Sequence, residues 1–508
     1  MNQRLQPLFL TTPIYYVNGR PHLGNAYTMV VSDAIARWAR LRGREVFFLT
    51  GTDEHGLKVA QAAHDSGATP QEWVDRMSVN FFNAWRDLGI SNDRFLRTTE
   101  PAHYRTVQAF LQRIYDNGYI FKDTYVGLYC VACEAYYSEE ELTDGGLCTV
   151  HLKPVIEMSE ENYFFRLSAF EDRLQSWYDE NPGAVFPVSR RNEALGFIRG
   201  GLDDISISRT SIDWGVPVPW DTDHVFYVWY DALINYLTAI SYGEDQANFD
   251  HWWPSVCHVL GKDILRFHCV WWPAMCMAAG IEPPSSFVVH GWLLASGEKM
   301  SKSRGNNVDP LEVAAEYGLD SLRYYLLRES TLGSDGDFTF EGLVQRHNSD
   351  LANNLGNLLQ RVVAVVNSKL DGVAPGAPPV PPDILDFDMR VERAVSSWEI
   401  PAPQDALEAT WELIRSANAL LESTEPWKST DRSLIERVLG TCLEVLRVVC
   451  ILSSPVLLES SELVWKRLGL EDHPTSVDLD DALHWGGYRG GVPLVKAAPV
   501  FPRRSEPS

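Results

Sequence analysis

"LFLTTPIYYVNGRPHLGNAYTMVVSDAIARWARLRGREVFFLTGTDEHG", residues 8–56, is the stretch on which the fold turns. It opens with a strand-like run that ends at Asn18-Gly19. Apolar residues then recur at Met29, Val30, Ala34, Ile35 and Trp38, the spacing of one helical face, and Gly43 closes the helix. The run "EVFFLTGTDEHG" (45–56) is almost continuously apolar before it ends in Gly and charge, as a strand does when both its faces are buried and its carboxyl end is used. Strand, helix, strand in this order predicts a doubly wound, Rossmann-type α/β domain. Where strand gives way to helix stands "PHLGN" (21–25), so His22 and the first backbone N–H groups could meet an anion at a helix N-terminus.

Outside this stretch the chain is large: 508 residues cannot share one core. With 45% hydrophobic and 22% charged residues it is globular, not disordered. The longest apolar run, "FHCVWWPAMCMAAG" (267–280), is short for a membrane span and contains Pro273, so it reads as core. The start, "MNQRLQPLFLTTP", lacks a secretion signal, which points to a cytoplasmic protein with no membrane partner. A formal charge of −24 argues against a non-specific nucleic-acid coat but leaves room for a local basic track.

One such track is "GEKMSKSRGN" (297–306), where Lys299, Lys302 and Arg304 stand among serines and glycines. Alone its composition favours a solvated surface turn over the other reading, a clamp that closes on polyphosphate. "VCHVLGKDILRFH" and "FVVHGWLLASGEK" precede it with the same strand-then-Gly pattern, and the ends of such strands converge on one crevice. That favours the clamp.

Of eight cysteines, Cys257, Cys269, Cys276, Cys442 and Cys450 sit singly in apolar surroundings and read as core. Cys130, Cys133, Cys148 and His151 are spaced C-x2-C, fourteen residues, C-x2-H, the pattern of a structural zinc knuckle with all four positions filled by protein. The last third has helical period. Leu351, Leu355, Leu358, Val362 and Val365 form one stripe, and Asn354, Asn357 and Arg361 form a polar one. A Pro-rich surface connection (372–383) and helices around 404–422 and 431–451 follow.

Taken together, these blocks resemble the class I aminoacyl-tRNA synthetases, and among them the methionyl-tRNA synthetases, over nearly the whole chain. "GEKMSKSRGN" and "PHLGN" are similar to the two class signatures; "FLTGTDEHG", "ENYFFRLS", "FYVWYDALINY", "LGKDILRFH", "VVHGWLL", "DLANNLGNLLQR" and "EPWK" are similar to methionyl-specific blocks in the same order. The resemblance implies a Rossmann-type catalytic domain in two halves, 1–115 and 196–335. Between them it implies a connective insertion with the zinc knuckle at 116–195, and after them an all-α helical-bundle anticodon-binding domain at 336–485 and a tail at 486–508. It implies that methionine is activated with ATP to methionyl-adenylate and passed to tRNA(Met), with Mg²⁺ accompanying ATP and one structural zinc per chain.

By the same resemblance His22, Asn25, Lys299 and Lys302 are catalytic, and these with Gly24, Gly261 and Asp263 bind ATP. Ile14, Tyr16, Trp229, Ala232, Leu233, Tyr236 and His290 match the methionine pocket, an apolar and aromatic site suited to a polarizable thioether. Asp53 matches the carboxylate that takes the ammonium group, and Arg209 matches a residue paired with it. Taken without the family, Trp229 and Tyr236, seven apart, would read as one stripe of a core helix. Asn357, Arg361 and Trp427 match anticodon-reading residues. One departure stands out: Asn25 occupies the place of the family's usual second His. The insertion is too small for the editing domain of the isoleucyl, valyl and leucyl enzymes, and no appended C-terminal dimerisation domain is present, so a monomer is expected. Two alternatives stay open: a paralogue, kept for inhibitor resistance or another pathway, and a catalytically silent tRNA-binding protein.

Overall fold

A computed structural model describes residues 5–131, 135–137, 142–143, 145–149, 152–295, 297–299 and 307–505. The chain starts with β1 (Leu8–Thr11) and β2 (Tyr15–Tyr16), crosses over through the helix Leu23–Leu41 and returns as β3 (Val46–Asp53). All three strands are parallel. Thr11 stands opposite Leu49 but Tyr15 stands opposite Thr52, so Thr12, Pro13 and Ile14 hold one residue more than the facing strand and push the chain out at the strand's end. β4 (Arg94–Arg97) lies along the other edge of β3.

The insertion follows the helix Pro101–Asp116. β5 (Ile120–Cys130), β6 (Ala135–Tyr137) and β7 (Ile156–Phe165) form an antiparallel sheet, in which β5 and β7 pair from Ile120–Phe165 to Tyr129–Ile156. Next come β8 (Val185–Phe186), β9 (Ile205–Ser206), which joins β7, and the short ribbon of β10 (Ser208–Arg209) and β11 (Val225–Phe226). β12 (Val256–Gly261) and β13 (Ser286–His290) then complete the parallel sheet on the opposite side of β1 from β3. β8 is its outer strand. The chain thus leaves β1 to one side for β3 and comes back on the other at β12. The crevice beyond β1 and β12 is the point where strand order reverses, the usual ligand position in such sheets. β14 (Leu293–Ala295), β15 (Glu298–Lys299) and β16 (Gly336–Phe338) make a small separate sheet beside it.

From Phe340 to Ala482 the named elements of the described chain are all helices. Leu351, Leu355, Leu358, Val362 and Val365 are all buried, as their spacing predicts. The winding differs from the single α-helix that spacing suggests: His347–Gly356 is π-helical and only Asn357–Lys369 is α. The Trp411 indole N–H takes the Asp350 carbonyl (3.1 Å) and the Asn354 amide takes that of Ser349 (2.9 Å), which opens the local ladder. The same logic applies at 267–280. Pro273 has no N–H for the Cys269 carbonyl, the Tyr178 hydroxyl donates to it instead (2.7 Å), and Phe267–Trp271 widens to a π turn.

Two buried ion pairs join distant parts. Arg323 donates to Asp33 at 2.6 Å and to the carbonyls of Pro455 and Val456, which ties the crossover helix to the C-terminal helices. Glu444 accepts from Arg447 and from the N–H groups of Gly486, Gly487 and Tyr488, which folds residues beyond 486 back onto the helices. Tyr488, Leu494 and Phe501 are buried there. No helix among the described residues is long and apolar enough to cross a membrane.

Candidate active site

His22 is the N-cap of the helix Leu23–Leu41, with extended backbone. Its Nδ1 accepts from the Gly24 N–H (3.1 Å), while Asn25 Oδ1 accepts from the His22 N–H (3.2 Å), a reciprocal capping box. A Cβ on Gly24 would stand 2.9 Å from His22 Cε1, so only glycine lets the ring lie this close. Since Nδ1 accepts, the ring proton is on Nε2. With the Asn25 oxygen engaged, its NH₂ is the group left to donate. The first turn holds no acidic residue, so no side chain within it offsets the partial positive charge of the helix end.

Across the crevice Gly261 and His290 face each other at the ends of β12 and β13. A Cβ on Gly261 would meet Asp263 Oδ1 at 2.7 Å and His290 Cε1 at 3.4 Å, so the three positions predicted separately form one corner. His290 donates from Nδ1 to the Gly291 carbonyl (2.7 Å) and accepts at Nε2 from the Thr28 hydroxyl (2.9 Å). Burial lowers its pKa and keeps the ring neutral. Both nitrogens are occupied, which leaves the ring edge for a ligand.

The predicted methionine residues gather at the ends of β2 and β3. Ile14 packs on β3, where a Cβ at Gly51 would lie 3.1 Å from its Cγ2. Tyr16 pairs with Asp53 in register and meets Trp229 edge-on at 6.4 Å. Trp229 stacks on Phe267 at 4.0 Å. Ala232, Leu233 and Tyr236 are buried. Trp229 and Tyr236 are not one helical stripe: they lie on two short helices, Val228–Ala232 and Asn235–Ala239, because the Asn235 amide takes the Ala232 carbonyl at 2.6 Å. The Tyr236 hydroxyl donates to His268 Nε2 (2.8 Å), whose Nδ1 donates to the Ile264 carbonyl (3.0 Å). Burial pushes His268 down to about 4, so it stays a neutral acceptor. His258 lies under the Tyr236 ring at 4.2 Å, hydrogen-bonded to Thr11 and Trp272, and burial drives its pKa down too. Arg209 is buried beneath Tyr227, with its guanidinium 4.5 Å from the ring, and donates to the Ser206 hydroxyl and the Ser208 carbonyl.

The segment after β3 is held at every residue. Glu54 accepts from Arg97, Thr52 and Thr99, its carbonyl from the Trp214 indole, and the Gly56 N–H donates to the Trp214 carbonyl. His55 Nδ1 donates to Asp231 (2.5 Å), as does His103 Nε2 (2.7 Å). Glu54, His55, His103 and Asp231 escape a motif reading, and "TDEHG" itself was the signal for the first two.

The predicted clamp begins on the β14–β15 hairpin. Lys299 lies in β15 opposite Leu294; Lys302 lies outside the described residues. The hairpin is anchored from β16, where Asp337 accepts from the Gly297 N–H (2.9 Å). Asp335 holds Lys262 (2.7 Å) and the Trp292 N–H (2.9 Å), with the Lys262 ammonium 4.1 Å over the Trp292 ring. The Gly261–Asp263 corner and the hairpin are thereby joined through a two-residue acidic step that the sequence reading passed over.

In the helical region Asn357 is exposed one turn before Arg361, whose guanidinium lies over the Trp427 ring. Cys130 and Cys148 are fully buried thiols; Cys133 and His151 lie outside the described residues. Among the described residues no group of three metal-ligating side chains occurs.

Comparison with known proteins agrees with this geometry. The family model "tRNA synthetases class I (M)" matches residues 8–153 and 140–363. The chain is 43% identical to methionine–tRNA ligase of Thermotoga maritima over 97% of its length and 80% of that protein's. It is 41% identical to the Streptomyces coelicolor methionine–tRNA ligase over 99% of its length and 98% of that protein's. The Mycobacterium tuberculosis methionyl-tRNA synthetase solved with methionyl-adenylate superposes with a TM-score of 0.92 at 42% identity, covering 98% of this chain and all of that one. A doubly wound parallel sheet with its strand-order reversal at β1 and β12, and likeness of this extent over nearly the whole chain, place the protein in the class I aminoacyl-tRNA synthetases, in the methionyl-tRNA synthetase family.

Proposed function

We propose that the protein is a methionine–tRNA ligase, which activates methionine with ATP and charges tRNA(Met). The observation that carries this reading is the crevice itself. One end presents a helix N-terminus capped by His22, and the other holds Tyr16 edge-on to Trp229, with Asp53 beside Tyr16 in register. An oxygen of the methionine carboxylate attacks the α-phosphorus of ATP, and pyrophosphate leaves with the bonding pair. Mg²⁺ accompanies the phosphates. The protein makes no covalent bond, so its contribution is alignment and stabilisation of charge developing on the phosphates.

His22 Nε2–H, the Asn25 amide and the N–H groups of the first helical turn donate towards the phosphates, while Lys299 and Lys302 supply positive charge. Gly24 and Gly261 let the nucleotide approach backbone, and Asp263 accepts from it. Ile14, Tyr16, Trp229, Ala232, Leu233 and Tyr236 enclose the thioether side chain, Asp53 pairs with the ammonium group, His290 closes the corner with its ring edge and Arg209 backs the Asp53 side. Asn357, Arg361 and Trp427 read unstacked anticodon bases by hydrogen bonding and stacking.

Cys130, at the end of β5, and Cys148, bridged to Leu142, are buried thiols that fit a zinc which Cys133 and His151 would complete. Such an ion would hold the insertion's turns together and take no part in the chemistry. We take the active form to be a cytoplasmic monomer organised as two catalytic halves, insertion, helical region and tail with the boundaries given above. ATP–pyrophosphate exchange with a panel of amino acids, followed by charging of initiator and elongator tRNA, tests the reading. Methionine-dependent exchange with charging of tRNA(Met) is expected. Exchange with another amino acid, or tRNA binding without exchange, overturns it.

A further inference from the structure

Asp231 is fully buried on the helix Val228–Ala232. At about 100° per residue it points away from the side that carries Trp229, Ala232 and Leu233, so the pocket helix is gripped from behind. Both carboxylate oxygens are engaged. Oδ2 accepts from His55 Nδ1 at 2.5 Å and Oδ1 from His103 Nε2 at 2.7 Å. His55 stands two residues past Asp53, and its Nε2 meets the Tyr104 hydroxyl at 2.8 Å. His103 Nδ1 meets the Thr238 hydroxyl at 2.9 Å, on the helix that carries Tyr236. One carboxylate therefore links the end of β3, both pocket helices and the helix Pro101–Asp116. Burial alone would raise the Asp231 pKa, but His55 and the bonds from both histidines hold it near about 2, and the group stays ionised.

We infer that Asp231, with His55 and His103, is a positioning device that fixes the distance between Asp53 and the Trp229–Tyr236 wall and so sets the length of amino acid the site accepts. This rests on the methionine-activating function proposed above. An amino acid has two ends to satisfy at once, ammonium and side-chain tip, and each is met by a different element. Selectivity for length requires that these elements cannot drift apart. Bonds from two N–H groups to one buried carboxylate are short and directional, and no water competes for them, unlike apolar packing, which tolerates sliding. A site left about 1 Å too loose loses alignment without losing its contact residues.

The test compares variants that break the bonds with variants that rebuild them. Asp231→Asn turns one N–H···O contact into a donor–donor clash, and His55→Ala or His103→Ala deletes one arm. His55→Asn places an amide NH₂ near the former Nδ1, and His103→Gln places one near the former Nε2. ATP–pyrophosphate exchange is measured for L-methionine and for its homologues one methylene shorter and longer, with near-ultraviolet circular dichroism as a check on folding. Breaking variants are expected to raise KM for methionine roughly 10- to 100-fold, to leave KM for ATP within about twofold, and to shrink discrimination against the homologues by about tenfold. His55→Asn and His103→Gln are expected to stay within about threefold of the parent. Should Asp231→Asn not fold, the His103→Gln and His103→Ala pair carries the comparison. Equal rises in both KM values, or unchanged discrimination in a folded breaking variant, overturn the inference. A parent with no methionine-dependent exchange instead overturns the proposed function, and it is read before any variant is made.

Discussion

The Arg361 guanidinium lies over the Trp427 indole, its carbon 5.2 Å from the ring centroid, and also donates to Glu422 at 3.2 Å. Two of the three residues proposed to read bases are thus already in contact, cation over ring. A base that stacks on Trp427 either displaces Arg361 or takes the ring's other face. Trp427→Ala is expected to weaken tRNA recognition by about 1–3 kcal/mol and to leave adenylate formation intact. In a double-mutant cycle Arg361→Ala and Trp427→Ala should couple by roughly 0.5 kcal/mol or more, because each loses the other's support. Charging kinetics set beside exchange decides it: equal losses in both assays would make Trp427 a packing residue.

Asn25 carries two duties that one substitution separates. Its oxygen completes the cap on His22, and its NH₂ is the proposed phosphate donor. Asn25→Asp keeps the acceptor at a helix N-terminus, so stability should stay within about 0.5 kcal/mol, yet it loses the donor and adds negative charge, so exchange should fall by roughly 10²-fold or more. Asn25→Ala should lose about 1 kcal/mol of stability as well as activity. Asn25→His should stay within about tenfold of the parent in exchange, as one neutral donor replaces another. Full activity in the Asp variant would mean that Asn25 is a cap alone.

Lys302→Ala should slow adenylate formation by roughly 10²–10³-fold with little change in methionine affinity, as loss of one preorganised cation does. Pre-steady-state exchange together with direct methionine binding reads the two effects apart. An unchanged rate removes Lys302 from the clamp.

His268 gives the enzyme an acid-sensitive core. Its pKa in the fold is about 4, below the free value of about 6.5, because burial disfavours the cation. The unfolded chain therefore gains a proton as pH falls through 6.5, the folded chain does not until about 4, and stability declines across that window by on the order of 3 kcal/mol. His258 shifts in the same direction and steepens the loss. Denaturant unfolding at a series of pH values should show the decline, and His268→Gln should flatten it while keeping an acceptor for Tyr236. An unchanged slope in that variant would assign the decline to other groups.

Metal analysis should find about one zinc per chain, lost on replacing Cys130 and Cys133 with Ser. Stoichiometric zinc in the double variant would place the ligands elsewhere.

The parallel sheet and its strand ends at Asp53, Gly261 and His290 were legible because their signals are local: an apolar run, a glycine, a capped helix. The Asp231 network was not. Its partners are 176 and 128 residues away, and a histidine in a motif says nothing of what faces it. The π turns at 267–271 and 347–356 were illegible for the same reason, since Tyr178 and Trp411 arrive from other elements to take the carbonyls. The cap between His22 and Asn25 spans three residues but escaped a pattern built on Ser, Thr and Glu, because here an imidazole nitrogen is the acceptor.

The ion pair of Arg323 and Asp33 bears on how freely this protein could trade parts with others. Arg323 belongs by sequence to the region before residue 335, yet two of its acceptors, the Pro455 and Val456 carbonyls, come from far beyond it. A graft that kept residues 1–335 and imported foreign helices would keep the Arg323–Asp33 pair but leave the buried guanidinium short of two acceptors, and a hydrogen bond to a charged group is worth about 1.5–3 kcal/mol. One buried guanidinium thus stitches the two regions together, and a foreign helical region would have to present carbonyls where those of Pro455 and Val456 stand.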